Sequence, residues 1–372
     1  MKKLGFGLMR LPLTDLEDGA SIDYDALFAM VDRFIERGFT YFDTAYGYHM
    51  GFSEVALRKA VVERYPREAY FAATKMPIYS VTKPGDYQEK FDEQLNKCGV
   101  AYFDYYLLHN LGSGTYADTE RLGGFDFMKK LKEKGYARHI GFSFHDTADL
   151  LDKILTEHPE MDFVQLQLNY VDWESESIQS RRCYEAARSH NKAIIVMEPV
   201  KGGTLAQVPP HVEKLFKARQ PNLSVPSWAV RFAASLSGVE MVLSGMSNIT
   251  QMLDNTSYMQ DFVPLTGEEQ SLVLQAAEMM RSGTVIPCTS CLYCVTDCPQ
   301  RIPIPRYFTI YNQLKQFNNP ILEEVYYSNL SKAGHGKASA CIACGQCEQR
   351  CPQHIDIPGY MKEIARTFEG IS

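Results

Sequence analysis

Eight times between residues 5 and 244 a short apolar run gives way to a stretch of helical spacing, and this alternation limits the possible folds more than any other feature. Strands are expected at Gly5–Leu8, Tyr41–Asp43, Tyr70–Lys75, Tyr105–His109, His139–Ser143, Phe163–Asn169, Ala193–Glu198 and Met241–Ser244. Between them apolar residues recur at three- and four-residue steps, as in Leu27, Met30, Val31, Phe34 and Ile35, or Phe127, Met128 and Leu131 ahead of Gly135. A helix after each strand returns the chain to the same end, so the strands run parallel, and eight such units close most simply into a barrel. An open doubly wound sheet is the alternative, weakened because no G-x-G-x-x-G turn follows the first strand.

The 372 residues exceed what one such barrel of about 250 residues needs, so a second domain is expected. Glu198 and Met241 are separated by a long insertion containing Pro209, Pro210, Pro221 and Pro226, which reads as an extra segment before the seventh helix. The last barrel helix is expected at 248–260 and a further one at 267–281. Gly283 and Pro287 then mark a boundary, giving domains 1–282 and 283–372. The tail reads as helical over 306–330 and again over 358–368.

A net charge of −7 provides no electrostatic footprint for nucleic acid or an anionic membrane. Charges at Arg10, Asp15, Glu17 and Asp18 interrupt what a signal peptide would need, and no run reaches membrane-spanning length. A cytoplasmic protein is expected.

Of ten cysteines, Cys98 and Cys183 stand alone and read as buried packing residues. The other eight form two copies of C-x-x-C-x-x-C-x-x-x-C-P: Cys288, Cys291, Cys294 and Cys298, then Cys341, Cys344, Cys347 and Cys351. Adjacent C-x-x-C turns gather thiolates at one point, whereas a disulfide framework spreads cysteines to staple distant segments. Metal ligation is therefore expected. A pair of four-cysteine zinc sites is the alternative, but it has no use for a fourth cysteine followed by proline. The spacing resembles bacterial two-cluster ferredoxins, which implies two 4Fe-4S clusters. That resemblance assigns Cys288, Cys291, Cys294 and Cys351 to one cluster, and Cys341, Cys344, Cys347 and Cys298 to the other. The long segment between the motifs is closer to helical ferredoxin modules of larger oxidoreductases.

In a βα barrel the reacting groups lie at the C-terminal ends of the strands. Asp43, Lys75 and His109 end the second, third and fourth, and Tyr48 follows in the loop after the second. Together they can reduce a carbonyl. A phenol donates the proton, an ammonium makes it more acidic, a carboxylate holds the ammonium, and an imidazole hydrogen-bonds the substrate oxygen. Phe42-Asp43-Thr44-Ala45 with Tyr48, Ala73-Thr74-Lys75, and Tyr106-Leu107-Leu108-His109 closely resemble the aldo-keto reductases. The likeness continues through Gly141-Phe142-Ser143, Val164-Gln165 with Asn169, and Gly245-Met246-Ser247-Asn248, over about residues 1–260.

This resemblance implies an (α/β)8 barrel with the tetrad Tyr48, Asp43, Lys75 and His109. It also implies Ser143 and Gln165 on the carboxamide of NAD(P)H, and Ser247 and Asn248 near a cofactor phosphate at a helix N-terminus. Four positions depart from the family pattern. Met197 stands where an aromatic residue commonly stacks on the nicotinamide, Phe144 where asparagine is usual, and Gly245 and Gln251 where basic residues grip the 2′-phosphate of NADPH. Lys201 reads either as a phosphate contact or as a solvated loop lysine; His49, Met50 and His145 read as pocket lining.

A nicotinamide passes two electrons together and a 4Fe-4S cluster passes one, so FMN enters as a candidate mediator. The leading expectation is an oxidoreductase reducing a carbonyl or conjugated carbonyl, with a ferredoxin or other redox partner reached through the clusters. A nicotinamide-dependent carbonyl reductase with structural or redox-sensing clusters is the second reading. A cofactor-sensing module with little turnover is the third.

Overall fold

The computed structural model describes residues 1–16, 18–176, 178–281, 285–317, 324, 327, 328, 330, 331 and 335–370. The strands are β1 Leu4–Gly7, β2 Tyr41–Asp43, β3 Phe71–Met76, β4 Phe103–Leu111, β5 Ala137–Phe144, β6 Phe163–Gln167, β7 Ala193–Met197 and β8 Val239–Gly245. They pair in sequence order, all parallel, and β8 closes on β1. This is the (β/α)8 barrel expected from the alternation.

Inside the barrel Tyr41, Ala73, Tyr105, Leu107, Phe163, Ile195, Met241 and Leu243 pack together. A second, larger apolar layer joins the outer faces of the strands to helices such as Tyr24–Glu36 and Ala148–Glu157. The period-2 alternation of strands supplies both layers at once. The extra segment after β7 folds as a short 3-10 turn, Lys201–Ala206, and a helix, Pro210–Arg219. The barrel helix Val225–Ser235 follows. Phe216 stacks on Trp228 at 5.0 Å, and both pack beside Val273 and Ala277 of the helix Gly267–Arg281.

The expected domain boundary at 282/283 and much of the expected helix over 306–330 lie outside the described residues. The tail has its own core, in which Tyr307, Phe308 and Tyr311 of the helix Ile304–Phe317 meet Met361 and Ile364 of the helix Ile357–Glu369. Cys98 and Cys183 are buried at or within helices, as expected. Among the described residues no helix is long and apolar enough to cross a membrane.

Candidate active site

The tail sits on the C-terminal mouth of the barrel, and between them lies a cavity of about 320 Å³. Asp43, Tyr48, Lys75 and His109 all line it, as do Ser143, Gln165, Met197, Gly245 and Ser247. The strand register explains part of this gathering. Asp43 pairs with Gly7 and Ala73, two residues before Lys75, while Ser143 pairs with Gln165. Just past His109 the ladder shifts register and Asn110 takes a left-handed φ of 59°, a bulge at the rim of the barrel. Asn248 is not on the cavity wall. It caps the helix Ile249–Met259 by accepting from the Gln251 amide at 2.9 Å, while Gln251 accepts from the Ser247 amide at 2.8 Å. The chain's own side chains thus occupy the Ser247 and Gln251 amides at this helix N-terminus, where Ser247 and Asn248 were expected near a phosphate.

Lys75 is fully buried and donates to Asp43 Oδ1 at 2.6 Å and to the Thr44 carbonyl at 2.7 Å. Burial pulls the carboxyl up and the ammonium down, and their mutual contact opposes both shifts. Nζ lies over the Tyr48 ring, 4.9 Å from its centre. The Tyr48 phenol is pushed up rather than down, by burial first and then by the Asp43 charge. This departs from the acidifying role expected of Lys75, because desolvation of a phenolate outweighs the influence of an ammonium already paired with a carboxylate. His109 is held neutral, well below the usual imidazole range, by burial and then by Lys75 and His145. A neutral imidazole still offers one N–H donor.

Among the described residues, four buried polar atoms on the cavity wall have no hydrogen-bond partner: Asp43 Oδ2, His109 Nδ1, His145 Nδ1 and Gln165 Oε1. Such groups are costly unless something satisfies them, so their convergence marks a place for a polar ligand. A carboxamide has the donors that Gln165 Oε1 lacks, and the cavity runs on to Ser247, Gln251 and Asp254 at the start of the helix. These residues fit an extended nicotinamide cofactor.

Several residues here carried no signal in the sequence. Arg10 donates to the Thr289 carbonyl at 2.9 Å and lies 4.0 Å from Glu198, while its stem covers Gly245. Lys201 is neither solvated nor facing a phosphate; it is buried against Asp172 at 2.6 Å. Gln353, two residues after Cys351, exchanges hydrogen bonds with Gln167 at 2.9 and 3.1 Å. Of the residues read as pocket lining, His145 lines the cavity. His49 instead bonds the Leu11 amide and the Gly19 carbonyl, and Met50 is exposed because its loop turns outward.

The cysteine loops bring Cys351 close enough to Cys288, Cys291 and Cys294 for its charge to raise each thiol, with burial the larger cause. Cys298, Cys341, Cys344 and Cys347 together line a small cavity walled by Ile302, Ile304, Ile357 and Met361. Both groupings follow the crossed assignment. Both motifs also bend alike. The second, fourth and thirteenth residues after the first cysteine have positive φ in each copy: Ser290, Leu292 and Arg301, then Ala343, Gly345 and His354. Left-handed backbone at non-glycine residues persists only where the surroundings demand it, and here the same demand occurs twice. The four sulfurs of each set suit a cubane.

Residues 3–278 match the Aldo/keto reductase family. The chain belongs to the aldo/keto reductase family. Residues 287–355 match a 4Fe-4S dicluster domain, so this member of the family carries an iron-sulfur tail. Curated relatives include a probable aldo-keto reductase 1 of Glycine max, 30% identical over 173 residues, 43% of this chain and 46% of the relative. A 9,11-endoperoxide prostaglandin H2 reductase of Trypanosoma cruzi is 27% identical over 215 residues, 56% of this chain and 65% of the relative. The matched part spans roughly half to two thirds of these relatives. Among solved structures, an aldo-keto reductase of Klebsiella pneumoniae in complex with NADPH superposes with a TM-score of 0.59 at 19% identity, covering 75% of this chain and 90% of that one. The holo form of an aldo-keto reductase from Bacillus halodurans gives 0.58 at 22%, covering 74% and 91%. These likenesses concern the barrel fold.

Proposed function

We propose that this aldo-keto reductase reduces a carbonyl or conjugated carbonyl in the cavity at the barrel mouth, with Tyr48 as proton donor, and that its two clusters exchange electrons with that site. The observation that carries the proposal is a shared wall. Cys291, assigned to one cluster, lines the same cavity as Tyr48, Lys75 and His109. Cys344, assigned to the other, is exposed. One cluster would thus lie beside the substrate and the other within reach of a ferredoxin or other redox partner in the cytoplasm.

In this reading Ser143, Gln165, Met197, Gly245 and Ser247 hold NADP(H), the cofactor bound by the Klebsiella pneumoniae protein. When bound, the nicotinamide supplies hydride equivalents. The neutral His109 donates a hydrogen bond to the substrate oxygen, and Tyr48 delivers its proton to that oxygen as charge develops there. Asp43 keeps Lys75 charged in a buried site, and the ammonium over the Tyr48 ring stabilises the phenolate left behind.

Anaerobic purification, followed by optical spectra, iron and sulfide analysis and a carbonyl panel, tests the proposal. Two clusters per chain and turnover with NADPH or a one-electron donor are expected. Flavin bands would identify FMN as the mediator, whereas turnover unchanged after cluster removal would reduce the clusters to a structural role. Tyr48→Phe should lower kcat on the order of 100-fold or more. Full activity in that variant would overturn the tetrad.

A further inference from the structure

Tyr293 belongs to the cluster loop Cys291-Leu292-Tyr293-Cys294, yet it reaches across the domain junction into the cavity. Its hydroxyl lies beside that of Tyr48 on the same cavity wall, and its ring stands edge-on to His109 with centres 6.5 Å apart. His109 also meets Tyr48 at 5.9 Å and Tyr79 at 6.1 Å, so three phenols surround the imidazole. The loop achieves this at a cost. Leu292 has a φ of 68° and is 59% exposed, while the more polar Tyr293 turns inward. Burial preference alone would choose the reverse, with leucine in and tyrosine out. A left-handed leucine is itself unfavourable, and such strain is a feature of functional loops.

The direction of the hydroxyl bond matters. Either hydroxyl can donate to the other, and only with Tyr293 donating to Tyr48 Oη does Tyr48 keep its own proton free for the substrate. Lys75 has two of its three donors committed, to Asp43 and to Thr44, and faces the Tyr48 ring.

We propose that Tyr293 is a positioning residue of the active site: its hydroxyl orients Tyr48 and supports the phenolate that forms when Tyr48 protonates the substrate oxygen. The iron-sulfur tail thereby completes the catalytic pocket. As the carbonyl carbon accepts hydride from the reduced nicotinamide, the carbonyl oxygen takes the Tyr48 proton. The C=O becomes CH–OH, and the negative charge left on Tyr48 Oη faces the Tyr293 O–H. This inference rests on Tyr48 being the proton donor, as proposed above.

The experiment compares the full-length, anaerobically purified protein with Tyr293→Phe and Tyr293→His, all rates being normalised to chains that hold both clusters by iron and sulfide content. Tyr293→Phe keeps the ring and loses the donor. Its kcat should fall on the order of 10- to 100-fold with KM for the carbonyl within about threefold, since the lost bond matters most in the transition state. NADPH affinity, followed by fluorescence titration, and the EPR spectrum of the reduced clusters should be unchanged. Tyr293→His restores a donor and should recover at least a third of the loss on a logarithmic scale. Wild-type kcat in Tyr293→Phe overturns the proposal. So does an equal loss in both variants, which would indicate ring packing, or a loss confined to KM. Tyr48→Phe run alongside separates the two claims, because activity surviving there defeats the proton-donor assignment itself.

Discussion

The junction between barrel and tail depends on one backbone contact that a single methyl group would break. Gly202 follows Lys201 in the turn after β7, with φ of +64°, and a Cβ built there would lie 2.3 Å from the Thr289 carbonyl oxygen and 2.8 Å from its carbon and Cα. Ordinary contact begins at 3.4 Å, so Gly202→Ala must move the cluster loop by about 1.1 Å (3.4 − 2.3). Backbone cannot rotate aside as a side chain can. A left-handed alanine costs about 1–2 kcal/mol and overpacking about 1–3 kcal/mol, giving roughly 2–5 kcal/mol against the docked tail. The same displacement would strain the Arg10–Thr289 bond at 2.9 Å and the Gly202–Glu198 bond at 2.6 Å. Gly203→Ala is the control. Its φ of +102° is also unfavourable for alanine, but its Cβ would meet nothing within 4 Å. Limited proteolysis and hydrogen exchange across residues 285–317 and 335–370 should show a loosened tail in Gly202→Ala, with the barrel unaffected and kcat reduced. If the two alanine variants behave alike, backbone conformation rather than the Thr289 contact governs the site, and the argument fails.

Two other perturbations have definite signs. Lys201→Met strands Asp172, whose side chain is 6% exposed, and should destabilise the protein by about 3–5 kcal/mol in denaturant titrations; Lys201→Met with Asp172→Leu should recover most of that. His145 is pushed down to about 4, by burial first, from the 6.5 of a free imidazole, so between those values the unfolded chain binds a proton that the native state does not. Stability should therefore fall as pH drops, by about 2 kcal/mol from pH 7 to pH 5, and His145→Asn should flatten that slope in denaturation midpoints.

The barrel was legible because period and length suffice for it: each strand falls within a few residues of its expected place. β4 and β8 run longer than their apolar runs suggest, since ladder pairing carries Phe103, Val239 and Gly245 into the sheet. The gathering of Asp43, Lys75 and His109 on one cavity was legible because they end strands, and strand ends in a closed barrel share one mouth. Lys201 was not. A lysine between Pro199 and two glycines reads as a loop cation, and only the docking of Gln353 and Thr289 turns its surroundings into an interior. The phenol's pKa was misjudged for a related reason. Desolvation depends on what covers Tyr48, and its cover comes from the opposite end of the chain.

That cover can be traced to a duplication whose two copies have diverged in use. The motifs share their positive-φ positions, so their loops have one backbone plan. Their side chains differ at matching places. One residue after the first cysteine stands Thr289, pressed by its carbonyl against Gly202, where the second copy has Ile342, 61% exposed. Five residues after it stands Tyr293, beside Tyr48 in the cavity, where the second copy has Gln346 beginning a short helix. The common backbone suits the cluster, whose thiolates such loops bring to one place. The differences suit the barrel, since of the two matching loops, 288–294 and 341–347, only the first lines the cavity at its mouth. Exchanging Tyr293 and Gln346 between the copies would leave eight cysteines and both loop conformations available, so a loss of turnover with full cluster content would trace to the barrel-facing side chain rather than to the metal.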